Sequence, residues 1–84
     1  MDEVPHIQVD VRWFAVLRER RGCESERVDV VPGTTVADLY DLLHPPGLAG
    51  RLPVLYAVNH GYAEASCVLR DGDEVAFVPP LGGG

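Results

Sequence analysis

The three glycines at the end of the sequence, Gly82, Gly83 and Gly84, are the residues best suited to chemistry. Glycine loses more conformational freedom on ordering than any other residue, so a terminal glycine run contributes little to a core. It does form a slender chain that can enter a narrow site and present its carboxylate. Pro79 and Pro80 stiffen the segment before it, and the stretch from Pro79 to Gly84 could span about 20 Å. We therefore expect the Gly84 carboxylate to react in the active site of another protein.

The other reactive residue types show no catalytic or metal-binding spacing. Cys23 and Cys67 are too few for a four-thiolate zinc site or an iron–sulfur cluster, and we predict two reduced thiols. Asp71 and Asp73 flank a glycine, which is typical of a turn. The histidines share no spacing and are predicted to lie at the surface; they are His6, His44 and His60. We expect neither a metal site nor a bound cofactor.

Length and charge restrict the class of protein. The 84 residues suffice for one small domain, and the formal net charge is −6. An acidic domain is a poor match for nucleic acid and a better one for a protein with a basic surface. No apolar run approaches the ~20 residues of a membrane span, and Met1–Asp10 lacks the features of a signal peptide, so we expect a cytoplasmic protein. All seven basic residues are arginine, so the chain has no lysine side chain to accept an isopeptide bond.

The first half of the sequence predicts two strands and a helix. Apolar residues alternate from Ile7 to Trp13, with Trp13 facing inward, and again from Arg27 to Val31. The charged segment from Leu17 to Gly22 is predicted as a connection, although it could form a turn of helix. Thr34 or Thr35 can cap the following helix, and Thr35 with Asp38 forms a capping-box pattern. One apolar face follows from its spacing, made of Val36, Leu39, Tyr40 and Leu43.

The second half predicts three strands. Residues 54–59 are apolar on both faces and are expected to form a central strand. His60 and Gly61 suit a tight turn, residues 62–65 a short returning strand, and residues 74–78 the last strand. The order predicts an α+β fold with a mixed sheet of four to five strands packed on one main helix. The first and last strands would lie side by side at its centre, with residues 1–78 as the domain and residues 79–84 as a flexible tail.

Several stretches together resemble the small subunits of molybdopterin synthase, in the MoaD/ThiS family of ubiquitin-like sulfur carriers. The residues from Val11 to Ala15, followed by Arg18 and Glu19, are similar to the family's first strand. Residues 32–39, 57–59 and 69–77 resemble its central and second-half motifs. The end of the chain, from Pro79 to Gly84, fits the pattern Pro-Pro-x-x-Gly-Gly. The resemblance covers nearly the whole sequence.

The resemblance implies the β-grasp fold of ubiquitin and a role in sulfur transfer. An adenylating enzyme would use ATP to activate the Gly84 carboxylate, and a persulfide sulfur donor would then convert it to a thiocarboxylate. The large subunit of molybdopterin synthase would accept the tail, and the sulfur would pass to a pterin precursor. The chain would thus be a sulfur-donating subunit without an active site of its own, in a complex with two copies of each subunit.

The resemblance also implies roles for individual residues. Gly82 and Gly83 would give access to the Gly84 carbonyl, and Leu81 would enter the partner's groove. Partner contacts are expected on the sheet face beside the tail, from Phe14, Phe77, Val78, Pro79 and Pro80. For Phe77 a core position is an equal alternative, since strand residues commonly pack inward.

Three other functions remain open at this point. The chain could carry sulfur for another pathway, such as the thiazole of thiamine, a natural product or tRNA thiolation. It could be a protein modifier that forms isopeptide bonds through Gly84. It could also be a binding-only domain, which would keep its function without Gly83 and Gly84.

Overall fold

The computed structural model describes residues 5–43 and 53–79. The predictions for His44, for the connection up to residue 52 and for Pro80 through Gly84 lie outside these residues. In chain order the elements are β1 (Ile7–Trp13), α1 (Ala15–Arg21), β2 (Ser25–Val30), α2 (Val36–Leu43), β3 (Leu55–Val58), β4 (Gly61–Ala63) and β5 (Glu74–Val78).

The strands form one mixed sheet in the order β2-β1-β5-β3-β4. β1 and β5 are parallel, with Val11 opposite Val75 and Trp13 opposite Phe77, and the other neighbours are antiparallel. The prediction that the first and last strands lie side by side is therefore confirmed. β5 is the middle strand, so the chain enters its last segment from the centre of the sheet.

The core lies between one face of the sheet and α2. Val36, Leu39, Tyr40 and Leu43 are buried, which confirms the predicted helix face. The Phe77 ring packs 5.3 Å from the Trp13 ring and 4.9 Å from the Tyr40 ring, measured between centroids. The opposite sheet face, which we call the outer face, is not covered by either helix.

The start of α2 has the predicted capping box. The Asp38 amide donates to Thr35 Oγ1 over 3.1 Å, and the Thr35 amide donates to Asp38 Oδ2 over 3.2 Å. Two amides that lack partners within the helix are satisfied in this way, which is typically worth about 1 kcal/mol.

The segment predicted as a connection after β1 is instead the helix α1. Its N-cap, Phe14, offers no side-chain hydrogen bond, so the sequence carries no capping signal there. Burial of Leu17 holds the helix against the sheet. Gly22 ends it with a φ of 84° and donates its amide to the Arg18 carbonyl, an arrangement that favours glycine.

β3 differs from the prediction as well. It lies between β5 and the edge strand β4 rather than at the centre, and its Leu55 side chain faces outward, because the two described helices leave the outer face uncovered. The turn after it centres on Asn59 and His60, one residue earlier than predicted. Their φ angles of 50° and 71° are both positive, as type I′ hairpin turns require.

The turn around Gly72 confirms the prediction for Asp71 and Asp73. The Asp73 carboxylate accepts the Arg70 amide at 2.8 Å, and the Asp71 carboxylate accepts the Gln8 amide at 2.8 Å. Asp73 thus holds the turn locally, and Asp71 ties the turn to the start of β1. Within residues 5–43 and 53–79, no three His, Cys, Asp or Glu side chains are grouped so that they could hold a metal ion.

Candidate functional site

β5 connects the core to the predicted reactive tail. Its pairing with β1 on one side and β3 on the other extends to Phe77 and Val78, the latter opposite Leu55. The tail segment after Pro79 therefore follows a strand held from both sides. The site residues Pro80, Leu81, Gly82, Gly83 and Gly84 lie outside the described residues.

Side chains alternate along β5, and this alternation separates the predicted partner-contact residues. Phe77 points inward and is fully buried, whereas Val78 lies on the outer face and is half-buried. Of the two positions considered for Phe77, the structure has it in the core. The prediction of Phe77 as a partner contact is thereby corrected: its register opposite Trp13 fixes it on the covered face.

The end of the outer face nearest the tail is apolar. Phe14 is 44% exposed and Leu55 is 52% exposed, and half-buried Val78 lies opposite Leu55. Tyr62, 81% exposed, continues this surface on β4, where it lies opposite Ala57. We call Phe14, Leu55, Tyr62 and Val78 the apolar patch. Exposed apolar groups gathered in this way are typical of protein-binding surfaces. Leu55 and Tyr62 were missed by the sequence analysis, although strict alternation within β3 and β4 would have placed both on one face.

Phe14 reaches the outer face because of the junction between β1 and α1. Trp13 is buried as the last residue of β1, and Ala15 turns the chain into the helix with a φ of 51°. The Phe14 carbonyl accepts the Leu17 and Arg18 amides at 3.1 and 3.3 Å. These bonds fix the backbone from which the Phe14 ring projects.

The opposite end of the outer face is charged. Glu74 lies 3.8 Å from Arg12 Nη2 through Oε1 and 2.8 Å from His60 Nε2 through Oε2, while Arg27 pairs with Asp10 at 3.2 Å. These pairs are exposed, and such pairs usually stabilise a protein by less than about 1 kcal/mol. Along β5 the outer face therefore changes from charged at Glu74, through Ala76, to apolar at Val78.

The most perturbed titratable group lies away from the tail. Glu26 accepts hydrogen bonds from Arg21 Nε and from Trp13 Nε1, each at 2.6 Å. The Arg21 hydrogen bond, opposed by burial, is the main reason that the pKa of Glu26 falls to about 2. Partial burial and the neighbouring Glu26 raise the pKa of the Cys23 thiol. This cluster has the character of a structural ion pair, because a carboxylate with so low a pKa stays ionised and is a very weak base near neutral pH.

Cys23 and Cys67 are both free thiols, as predicted. The described parts of the chain contain no helix that is long and apolar enough to cross a membrane.

Sequence comparison relates the whole chain to known proteins. The model of the ThiS family matches residues 11–84. The molybdopterin synthase sulfur carrier subunit of Mycobacterium tuberculosis is 43% identical, and the match covers 93% of this chain and 99% of that protein. The human protein of the same name is 37% identical, with 96% and 99% covered.

Solved structures agree with the fold. Small archaeal modifier protein 1 of H. volcanii is 29% identical with a TM-score of 0.78, covering 89% of this chain and 99% of that chain. A complex of subunits 1 and 2 of the molybdopterin-converting factor from Helicobacter pylori contains a chain that is 25% identical with a TM-score of 0.64, covering 93% and 100%. A ubiquitin from Caldiarchaeum subterraneum, 15% identical with a TM-score of 0.63 and covering 95% and 100%, shares the fold alone.

The predicted β-grasp fold is thus confirmed by the sheet order and by these neighbours. The family match includes both the sheet and the terminal glycines. Since that match spans most of the sequence and the mycobacterial relative is similar over nearly all of it, the chain belongs to the ThiS family.

Proposed function

We propose that this chain is the sulfur carrier subunit of a molybdopterin synthase and that it carries sulfur as a thiocarboxylate on Gly84. The observation that carries the proposal is the 43% identity to the mycobacterial subunit of that name across 93% of the chain. The structure supports it, since the tail follows the central strand beside an exposed apolar patch.

The chemistry begins with a carboxylate, whose negative charge makes it a poor electrophile. Adenylation by an ATP-dependent partner forms an acyl–AMP bond and releases pyrophosphate, which removes the charge and supplies a good leaving group. A persulfide then attacks the carbonyl and expels AMP to give an acyl disulfide. A thiol reduces that disulfide, leaving the thiocarboxylate on Gly84 and a new disulfide on the thiol side.

This chain contributes the substrate end rather than the catalytic groups. Glycine at positions 82–84 leaves the terminal carbonyl open and permits φ angles closed to other residues. The thiocarboxylate is ionised near neutral pH, so it needs no base from this chain to attack a pterin precursor. The apolar patch would dock the partner so that the tail is directed into its active site.

The partners follow from this chemistry. A large synthase subunit is supported by the Helicobacter complex of subunits 1 and 2, whose smaller chain shares this fold. The adenylating enzyme and the persulfide donor are required by the reaction steps. Because adenylation uses ATP, we place the reaction in the cytoplasm.

Intact-mass spectrometry tests the proposal. The chain is incubated with ATP, the adenylating enzyme, a persulfide donor and a thiol reductant. We expect a mass gain equal to the replacement of one oxygen by sulfur, absent when Gly84 is deleted. An unchanged mass under conditions that thiolate a known sulfur carrier would refute it. Which large subunit co-purifies, a molybdopterin synthase or a thiazole synthase, identifies the acceptor.

A second candidate function is protein modification through an isopeptide bond to Gly84. The observation that favours it is the similarity to small archaeal modifier protein 1, at 29% identity and a TM-score of 0.78. In the same incubation with a lysate, this function would produce conjugates of higher mass that depend on Gly84. If the chain gains sulfur and no such conjugates form, sulfur carriage is its only function of the two.

A further inference from the structure

A concavity lies on the outer face between its charged and apolar ends. Ala57 and Ala76 are paired across β3 and β5 and form its floor. Arg12 and Phe14 border it on the β1 side, and Glu74 and His60 border it at the charged end. Its volume is about 280 Å³.

The small volume and shallow shape of the concavity indicate that a single side chain is its occupant. Small-molecule sites are usually clefts of about 300–1,000 Å³ that enclose most of their ligand, and this shallow depression lies at the lower end of that scale. Two alanines opposite each other leave a gap in the outer face because both neighbours along β5, Glu74 and Val78, carry larger side chains. A single large side chain of a docked protein would fill such a gap.

The charges around the concavity favour an aromatic ring. Glu74 Oε1 lies 3.8 Å from Arg12 Nη2 and Glu74 Oε2 lies 2.8 Å from His60 Nε2, so a guanidinium and a carboxylate lie side by side on the border. An aromatic ring has a negative face and a positive edge. It could therefore place its face toward the Arg12 guanidinium and its edge toward the Glu74 carboxylate. A ring would also gain contact with the exposed Phe14 side chain, whereas an aliphatic side chain would use neither charge.

We propose that the Ala57–Ala76 concavity receives one aromatic side chain from the large synthase subunit. This inference rests on the proposed function, because that function supplies the partner. It adds a specificity determinant to the docking surface: the partner must carry a ring at a position facing the gap between the charged end and the apolar patch.

Filling the concavity tests the proposal. Valine at position 57 or 76 suits a strand and would occupy the gap, so Ala57→Val and Ala76→Val should each raise the Kd for the large subunit about tenfold or more. Gln8→Val is the matched control, because it adds the same side chain to the outer face of β1 at the far end from Phe14. We expect its Kd to stay within about twofold of the wild type. Equal Kd values for all four proteins would overturn the proposal.

A measurement on the unmodified chain keeps the proposal testable if a valine variant folds poorly. With alanine methyls labelled in this chain and the large subunit unlabelled, NMR should show intermolecular NOEs from aromatic protons to the Ala57 and Ala76 methyls. NOEs from aliphatic protons alone would refute the aromatic occupant, and no intermolecular NOE would refute docking in the concavity.

The two proposals fail separately. If the wild type neither gains sulfur nor binds the large subunit, the proposed function fails. If it does both and Ala57→Val and Ala76→Val bind as tightly as the wild type, only the concavity proposal fails.

Discussion

The indole of Trp13 donates its Nε1 hydrogen to Glu26 Oε2 over 2.6 Å, so the polar group of this buried β1 side chain is satisfied by a carboxylate on β2. The same oxygen accepts Arg21 Nε, and Arg21 Nη1 reaches the Leu43 carbonyl at the end of α2, 3.3 Å away. The Glu26 carboxylate thereby joins β2 to β1 and α1, and Arg21 extends the link to α2. Since Trp13 packs on Phe77, this cluster also supports the strand that leads to the tail.

Glu26→Gln should lower the free energy of unfolding at pH 7 by about 1–3 kcal/mol, because the charge-assisted bonds to Arg21 are lost. The pKa of Glu26 is lowered on folding from 4.5 to about 2. A lowered folded-state pKa stabilises the protein above pH 4.5, and that contribution is lost as the pH falls toward 2. The difference between wild type and variant should therefore shrink at low pH. Urea unfolding at pH 7 and pH 2.5 measures it.

The control for this prediction is Glu24→Gln, since Glu24 is an exposed acid just before β2, two residues from Glu26. Its stability should differ from that of the wild type by less than about 0.5 kcal/mol at either pH. If Glu26→Gln lowers the free energy of unfolding equally at both pH values, the ionised form of Glu26 does not stabilise the fold.

Phe77→Ala and Phe14→Ala should show the difference in stability between a core and a surface aromatic residue. Phe77 is fully buried between Trp13 and Tyr40, so its truncation should cost about 3–5 kcal/mol of stability. Phe14 is largely exposed, and its truncation should cost less than about 1 kcal/mol. Thermal and urea unfolding provide the comparison. Similar losses for both variants would mean that Phe14 is packed more deeply than the structure has it.

Gly72→Ala should destabilise the chain by about 1–2 kcal/mol through backbone conformation alone. Gly72 has a φ of 87°, yet a Cβ there would meet no atom within 4 Å. Gly61→Ala is the matched control, since Gly61 has no positive φ and its Cβ would lie 3.8 Å from the Val58 carbonyl oxygen, an ordinary contact. Asparagine tolerates a positive φ, so Gly72→Asn should recover part of the loss. Equal stability of Gly72→Ala and wild type would disprove the assignment of strain.

The sequence predicted those parts of the fold that are held by contacts between residues close together in the chain. The Thr35–Asp38 capping box, the apolar face of α2 and the turn around Gly72 each rest on contacts between residues a few positions apart. Helix α1 was predicted only as a connection that could form a turn of helix, because burial of Leu17 against the sheet stabilises it and Phe14 provides no cap. That contact is tertiary and leaves only a weak trace in the sequence.

The candidate site was predicted only in part, because the positions of its other residues also depend on tertiary contacts. Phe14 and Val78 were placed on the docking face, but Phe77 was not separated from them, since its orientation depends on the register with Trp13. Leu55 escaped notice because residues 54–58 form an unbroken apolar run, and only the fold shows which of them lie on the outer face. The concavity depends on the pairing of Ala57 with Ala76, which follows from strand order and register.

Leu55→Ser should weaken binding of the large subunit about tenfold while leaving the fold intact. Leu55 is half exposed and lies opposite Val78, next to the point where the tail begins, so a docked partner would bury it at the centre of the apolar patch. Leu42→Ser is the matched control: Leu42 is 67% exposed but belongs to α2, on the covered side of the sheet. Isothermal titration with the large subunit should give Leu42→Ser the wild-type Kd. If both serine variants bind equally well, the partner docks on another surface, and the outer face does not direct the tail.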